Sequence, residues 1–481
     1  MRLQESAKVV DALEHIGLKI HLIDGQCTIQ QSCGRAMHVR LIPHSAAVLF
    51  VVTCVARERF YHARTQIDGA ESAELCVTVK PEVKRKVIGD CFMRVSEEEL
   101  RKFGLDPEHV FLAQGTLRPD LIESASAMAS IGGSAEVIKT HHNDTALVRA
   151  LRDRGRIMEP LKDLHKDEVR LLGLELGLPS QLIWRQPFPG PGLAVRILCA
   201  TEAFTTPQDE EIVRALRDYS TDRITVSLLA CRTVGVQGDS RSYAGLVGLS
   251  STASAAASGD CPNWHSLFHL AKEIPKRVHG VNRVIYVFGA PLTEGHYRSI
   301  TRTLLTPESI TQLQQADEVV NRILLQYNLI KPLSQVPVIL FPVDFSQPGE
   351  DNTGKRSICI RTFITNDFMT GVPALPAKDH GQVIAQAAES PSPSPTPSPN
   401  PSPNPSPSPA VPAADAYTVT LQPVAASIAR AEHVPMTSVR FPTMPLEALQ
   451  LMVTQILATV PGIARVCYDL TCKPPATTEW E

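Results

Sequence analysis

Five short segments of this chain concentrate side chains suited to holding a phosphate-bearing ligand. Lys84-Arg85-Lys86 sets three cations side by side, enough to neutralise a phosphate, and Arg85 adds bidentate geometry; the same triplet also suits a solvated helix face. Gln114-Gly115-Thr116 follows the strand-like run His109 to Ala113, and α/β sheets place ligands at strand ends. Gly115 there lets a backbone approach a nucleotide closely, although ordinary turn chemistry uses glycine in the same way. Lys139, Thr140, His141, His142 and Asn143 follow a second strand-like run, Glu136 to Ile138. Neighbours on an extended strand point to opposite faces, so His141 and His142 suit a phosphate-contacting loop better than a shared metal ion. Val234 to Asp239 puts two glycines around a polar step, either a plain β-turn or a site where Asp239 accepts from ribose or base donors. The last nine residues, Lys473 to Glu481, offer a cation, hydroxyls, carboxylates and an indole on a backbone stiffened by Pro474 and Pro475.

Elements that could position these groups are legible around them. The spacing predicts a helix over Glu5 to Ile16 and a strand over Leu18 to Ile23. It predicts a basic helix from Glu82 into Phe92, and another from near Lys162 to Gly177. Strands and helices thus alternate to about residue 185, with 25–78 lacking a clear period. Pro187-Phe188-Pro189-Gly190-Pro191-Gly192 marks a rigid junction, and an α+β pattern follows. Strands are expected at Val284 to Phe288, Val336 to Phe341 and Ala464 to Leu470. Helices are expected at Trp264 to Ile274 and Ile310 to Tyr327, with a helical stripe from Leu446 to Leu457. Ser390 to Pro409 alternates proline with small polar residues and reads as an extended linker.

The totals narrow the function classes. With 47 basic and 50 acidic residues the net charge is −3, so no global field favours nucleic acid or an anionic membrane. Aromatics at 5% offer no stacking platform for single strands. The 11 cysteines form no CxxC pair, which argues for reduced thiols and against structural zinc. The most apolar run, Ala46 to Ala56, is about half a bilayer span. Met1 leads into a charged amphipathic pattern rather than a leader peptide, and the expectation is a soluble, cytosolic protein.

Several longer runs carry a family resemblance. FLAQGTLRPDLIES (Phe111 to Ser124), IKTHHN (Ile138 to Asn143), EPLKDLHKDEVR (Glu159 to Arg170) and PFPGPGL (Pro187 to Leu193) are among them. VGVQGDSRSY (Val234 to Tyr243), FITNDFMTG (Phe363 to Gly371) and YDLTCKPPATTEWE (Tyr468 to Glu481) complete the series. In this order they resemble glutamine-hydrolysing GMP synthase, best in its long eukaryotic form. The likeness covers most of 1–24, 80–380 and 435–481.

The resemblance implies an α/β fold: an incomplete doubly wound, adenine-nucleotide α-hydrolase-like parallel sheet, then an α+β dimerisation domain. The implied division is 1–186 for the partial ATP-pyrophosphatase domain, with 25–78 atypical, and 187–387 for the dimerisation and XMP-binding domain. A Pro/Ser linker at 388–413 follows, and 414–481 completes the second domain with an XMP-binding tail. It further implies a ligase that aminates xanthosine monophosphate (XMP) to GMP, using Mg2+-ATP and ammonia from glutamine, in a homodimer. By similarity Arg85, Asp239, Gln335, Lys473 and Glu479 would contact XMP. Lys139, His141 and His142 would belong to a lid, and Gln114, Gly115 and Thr116 to the nucleotide-site turn. No protein side chain is implied as a metal ligand.

Departures from the family pattern shape a second expectation. The pyrophosphate-binding run Ser-Gly-Gly-x-Asp-Ser occurs nowhere in these residues, and no amidotransferase segment is recognisable. Gln186 stands where the family usually has histidine. The expectation is a GMP synthase lacking its N-terminal half and inactive alone. The alternative is a non-catalytic XMP-binding dimerisation module whose partner supplies ATP and ammonia.

Overall fold

The computed structural model describes residues 20–24, 49–53, 56–102, 112–113, 115–118, 154–189, 191–237, 240–253, 262–346, 352–365, 370–377 and 443–481. Gln114, Lys139, His141, His142 and Asp239 lie outside them, as do the expected helix over Glu5 to Ile16, the strand Glu136 to Ile138 and the Pro/Ser tract.

The first part contributes short elements. Strands β1 (Ile20–Asp24) and β2 (Leu49–Thr53) pair in parallel, so an ordered strand pairing reaches into the stretch that showed no clear period. Helix α1 (Arg57–Tyr61), the small hairpin β3 (Gln66–Ile67) and β4 (Ala70–Glu71), and a 3-10 turn at Leu75–Val77 lead into α2 (Pro81–Lys102). Strands β5 (Leu112–Ala113) and β6 (Ile157–Met158) also pair in parallel, followed by α3 (Lys166–Glu175) and α4 (Ser180–Ile183). Helix α3 is shorter than the expected span from near Lys162 to Gly177. Its start is set at His165, whose backbone N–H donates to Glu168 Oε2 at 2.6 Å, satisfying a donor ahead of the first turn. Gly177, at φ +76°, takes the left-handed conformation just beyond its end.

Beyond a 3-10 turn at Gly192–Arg196 the chain builds one mixed sheet. In chain order its surroundings are α5 (Asp209–Arg217), β7 (Ile224–Gln237), β8 (Ser240–Ser251), α6 (Trp264–Arg277), β9 (Val281–Val287), β10 (Gly295–Tyr297), α7 (Pro307–Gln326), β11 (Val338–Phe341) and β12 (Arg356–Ile360). The small parallel pair β13 (Pro376–Ala377) and β14 (Met444–Pro445), α8 (Leu446–Thr459) and β15 (Ile463–Asp469) complete it. The seven strands run in the order β10-β7-β8-β9-β15-β12-β11. Pairs β7–β8, β9–β15 and β11–β12 are antiparallel, and the rest parallel.

Both faces of this sheet are covered, which explains strands that read as continuous apolar runs. Successive side chains alternate between faces. Val284, Tyr286, Val338, Leu340, Ile358, Val466 and Tyr468 join one cluster with residues of α5 to α8. Ile285, Val287, Ile339, Phe341, Cys359 and Cys467 point to the other face, where Trp480 of the tail joins them. The helices behind the first face are set by local chemistry. Helix α7 has Thr306 as N-cap, accepting from the Ser309 N–H at 3.2 Å, and Pro307 in its first turn. Helix α8 buries Leu449, Met452 and Ile456. Packing continues across residue 186, because Val87, Ile88, Cys91 and Val95 of α2 belong to that same cluster.

One sequence reading is corrected here. Val234 to Gln237 do not form a turn of their own; they end the 14-residue strand β7 of a long hairpin. Gly235 is there because a neighbour needs its space. A Cβ would come within 2.6 Å of the Asn282 side chain, whose amide donates to the Thr233 and Ser242 carbonyls at 3.0 and 3.1 Å.

Candidate functional site

The tail leaves β15 at Asp469 and is held along most of its length. Lys473 and Gly371 exchange backbone hydrogen bonds at 2.9 and 3.0 Å. The Val236 N–H donates to the Pro475 carbonyl at 2.7 Å, and the Val234 N–H to the Trp480 carbonyl at 2.9 Å. Arg283 Nη2 donates to the carbonyls of Thr477 and Glu479 at 2.8 and 2.6 Å. This is a docked segment, not a frayed end.

Beneath it lies a buried charge cluster. Asp469 Oδ2 accepts from Arg361 Nη1 at 2.7 Å, Arg283 Nη1 at 2.9 Å and Trp480 Nε1 at 2.9 Å. Its Oδ1 accepts from the Thr471 N–H at 2.9 Å. Burial alone would push the Asp469 carboxyl up, but Arg361, Arg283 and the Thr471 N–H together hold it below the usual aspartate value. Burial and the adjacent Arg361 pull Arg283 down to about 9, which leaves it charged at neutral pH. A second buried pair joins Lys84 to Glu481. Lys84 also donates to the Ile197 carbonyl at 3.0 Å, and Glu481 Oε1 accepts from the Cys199 N–H at 3.1 Å. This pair pins α2 to the tail.

The sequence-predicted residues fall in distinct places. The Lys84-Arg85-Lys86 triplet is divided, because consecutive helical positions differ by about 100° in direction. Lys84 is fully buried, whereas Lys86 reaches the Gln66 carbonyl at 2.7 Å on the exposed side. Arg85 lies between them, 3.8 Å from Glu82, whose carboxylate also accepts from the Tyr243 hydroxyl of β8. The solvated-face reading therefore holds for Lys86 and fails for Lys84.

Gln335 and Lys473 are brought to one place around Phe363. Gln335 exchanges backbone hydrogen bonds with Phe363 and donates from Nε2 to the Pro187 carbonyl at 2.9 Å. Lys473 Nζ sits 5.8 Å from the Phe363 ring centre. Gly371 makes that packing possible, since a Cβ there would meet the Phe363 ring at 2.2 Å.

Glu479 is differently placed. Its two carboxylate oxygens are buried, and neither has a hydrogen-bond partner among the described residues. Arg196 Nε is 3.5 Å from Oε2 and Arg196 Nη1 is 3.6 Å from Asp317. The Arg196 guanidinium stacks 4.9 Å above Phe188 of the proline-rich junction. Nη1 of Arg85 and Nε of Arg196 are likewise buried without a hydrogen bond among the described residues.

Of the strand-end turn, Thr116 is buried and its hydroxyl donates to Glu159 Oε1 at 2.7 Å, while Gly115 is exposed. Gln186 bridges two segments: its amide donates to the Leu333 carbonyl at 3.0 Å and accepts from the Val336 N–H at 3.0 Å. A cavity of about 200 Å3 beside the tail is lined by Trp480, Glu481, Tyr243, Phe204 and Cys231, and by none of the residues expected to contact XMP or ATP.

Residue-type reasoning missed Arg196, Arg283, Arg361, Asp469, Trp480 and Glu481 as a connected set. A signal existed for part of it. Arg283 is the one charged residue inside the fully buried strand β9, and Arg361 comes directly after β12, and a lone charge there needs a buried partner.

Comparison with known proteins adds a separate line. Residues 422–480 match the family described as GMP synthase C terminal domain. The chain is 41% identical to the GMP synthase (glutamine-hydrolyzing) of Dictyostelium discoideum over 468 residues, covering 90% of this chain and 55% of that protein. It is 37% identical to the probable GMP synthase of Caenorhabditis elegans over 461 residues, covering 83% of this chain and 52% of the other. The probable enzyme of Leptospira interrogans (serovar copenhageni) is 33% identical over 291 residues, 60% of this chain and 45% of its own. The chain therefore spans about half the length of the curated relatives it matches.

Proposed function

We propose that this chain supplies the XMP-binding part of a glutamine-hydrolysing GMP synthase, an ATP-dependent carbon–nitrogen ligase of purine biosynthesis. The observation that carries the reading is Glu479: its carboxylate oxygens are buried and lack hydrogen bonds among the described residues, although the tail backbone around it is tied down. Burying acceptors without donors is costly unless a ligand supplies them. Ribose hydroxyls and the base N–H groups of XMP are such donors. Lys473, beside the Phe363 ring, would meet the phosphate, and Gln335 is tied to the Phe363 backbone. Arg85 and Asp239 complete the set by similarity. The similarity to GMP synthases over 90% of the chain supports this choice of ligand.

In the reaction so assigned, the C2 oxygen of XMP attacks the α-phosphorus of Mg2+-ATP and pyrophosphate leaves. Ammonia then adds at C2 and AMP departs, giving GMP. Mg2+ arrives with ATP as part of that substrate. The ATP site would draw on the turn at Gln114, Gly115 and Thr116, with Lys139, His141 and His142 as the closing loop. The short parallel pairs β1–β2 and β5–β6 would belong to the nucleotide sheet, and the seven-stranded region to a homodimerising domain. The domain limits remain 1–186, 187–387, 388–413 and 414–481, with the cytosol as the compartment. Among the described residues no helix is long and apolar enough to cross a membrane.

No Ser-Gly-Gly-x-Asp-Ser run occurs in the 481 residues, so the phosphate-cradling backbone N–H groups of such a loop are not supplied here. The chain with XMP, Mg2+-ATP and ammonium is therefore expected to make no GMP; ammonia-dependent AMP release would overturn this. Calorimetry with XMP tests binding by itself. Heat of binding that weakens in Glu479→Gln and Lys473→Ala is the expected result, and no heat with the folded wild-type chain refutes the assignment.

A further inference from the structure

Away from the tail, three side chains of different chemistry converge just ahead of α2. His62 is the C-cap of α1, Glu74 precedes the 3-10 turn, and Cys76 lies within that turn. Their ligand atoms all lie within 4.8 Å of one another. His62 Nδ1 is 3.0 Å from Glu74 Oε2, and Cys76 Sγ is 3.6 Å from the same oxygen. A tetrahedral zinc ion, with bonds of about 2.0–2.2 Å to nitrogen and oxygen and about 2.3 Å to sulfur, spaces its ligand atoms about 3.3–3.6 Å apart. The two distances to Glu74 Oε2 already stand near that spacing, and a small side-chain rotation of the exposed His62 ring brings its nitrogen to the same ion.

We propose that His62, Glu74 and Cys76 form a binding site for a zinc-class divalent cation, with the fourth coordination position open to solvent. The ligand set suits such an ion: imidazole and thiolate select borderline-soft metals, and one carboxylate oxygen completes a three-ligand group. The surroundings are arranged as outer partners of such a site are. Arg64 Nη2 holds the other carboxylate oxygen, Glu74 Oε1, at 3.2 Å and so leaves Oε2 turned inward. Glu58 Oε2 lies 3.9 Å from His62 Nε2, the ring nitrogen a metal on Nδ1 would leave protonated.

The site is closed on one side and open on the other. Cys76 is buried, whereas the side chains of His62 and Glu74 are 56% and 30% exposed. Burial, and then Glu74, push the Cys76 thiol up, so the thiol keeps its proton until a cation displaces it. Binding then forms a sulfur–metal bond and releases that proton to water. The backbone ties the group to the rest of the fold, because the Leu305 N–H donates to the Cys76 carbonyl at 3.2 Å. An ion here would brace the entry to α2, the helix that carries Lys84 and Arg85. No short motif announces the site: the ligands are 12 and 2 residues apart, and only the hairpin β3–β4 folds them together. This proposal is independent of the XMP reading.

The test is titration of the metal-stripped full chain with Co2+, a spectroscopic substitute for zinc, followed by displacement with Zn2+. One equivalent should produce a thiolate-to-cobalt charge-transfer band and intense visible bands of tetrahedral geometry, both abolished by Zn2+. Cys76→Ser should remove the charge-transfer band, which locates the sulfur ligand among the 11 cysteines. His62→Ala and Glu74→Gln alter the more exposed side chains, so they test the site even if Cys76→Ser fails to fold. Each should weaken Co2+ binding by at least the roughly 10–100-fold that loss of an outer-shell partner costs. Absence of the charge-transfer band in the wild-type chain would overturn the proposal. A band of unchanged affinity in His62→Ala and Glu74→Gln would overturn it equally.

Discussion

Asp469 and Glu479 are two carboxylates in one short terminal segment, and their surroundings are opposite. Asp469 is fully buried and accepts four hydrogen bonds, from Arg283, Arg361, Trp480 and the Thr471 N–H. Glu479 has an arginine 3.5 Å away and, among the described residues, no hydrogen bond to either oxygen. A saturated buried charge is a structural joint. A buried charge with unused acceptor capacity is where a ligand can be bound with gain. The same tail thus contains its own fastening and its own candidate contact.

The largest expected effect comes from breaking the joint. Asp469→Asn leaves Arg283 and Arg361 buried without their counter-charge and should cost about 3–5 kcal/mol of stability. Urea denaturation measures it, and a loss below about 1 kcal/mol would erase the distinction between the two carboxylates. Next comes the pin between α2 and the tail. Lys84→Met strands Glu481 in a buried site and should cost about 3 kcal/mol. The double variant Lys84→Met with Glu481→Gln should recover much of that loss, because neither charge is then left unpaired.

Glu479→Gln should behave in the opposite way. Its stability should stay within about 1 kcal/mol of the parent, while calorimetric XMP affinity falls by about tenfold or more, as expected when a ligand's charge-assisted hydrogen bond is lost. A variant that unfolds without changing affinity would place Glu479 with Asp469 instead. The pH dependence gives the finest test. The Asp469 carboxyl is held below its unfolded value of 3.8, so its stabilisation is present above that value and is lost as pH falls through the folded one. The stability gap between wild type and Asp469→Asn should be level from pH 7 to 5 and narrow only below about 3.8. Narrowing between pH 7 and 5 would contradict the assigned direction.

Much of the framework was readable in advance. The expected strands near 284, 338 and 464 appear as β9, β11 and β15, and the expected helices as α6, α7 and α8, with ends moved by a few residues. These elements announce themselves because apolar periodicity is strong where both faces, or one long face, are buried. The hairpin β7–β8 was not announced. Its strands carry Arg232, Thr233, Gly235 and Gln237, and such polar and glycine positions read locally as a turn. The tail was legible as a unit through its family likeness. The division of labour inside it was not.

The sequence by itself determined which groups were available: the ordered family motifs, the stiff proline-bearing tail, and the cations of α2. Tertiary structure alone decided their roles. It turned Lys84 inward to Glu481 and Lys86 outward to solvent, from positions two residues apart on one helix. It gave Asp469 partners from residues 283, 361 and 480, and left the oxygens of Glu479 without hydrogen bonds among the described residues. The physical reason is that the state of a buried charge depends on donors brought from distant parts of the chain, and local sequence does not encode those distances.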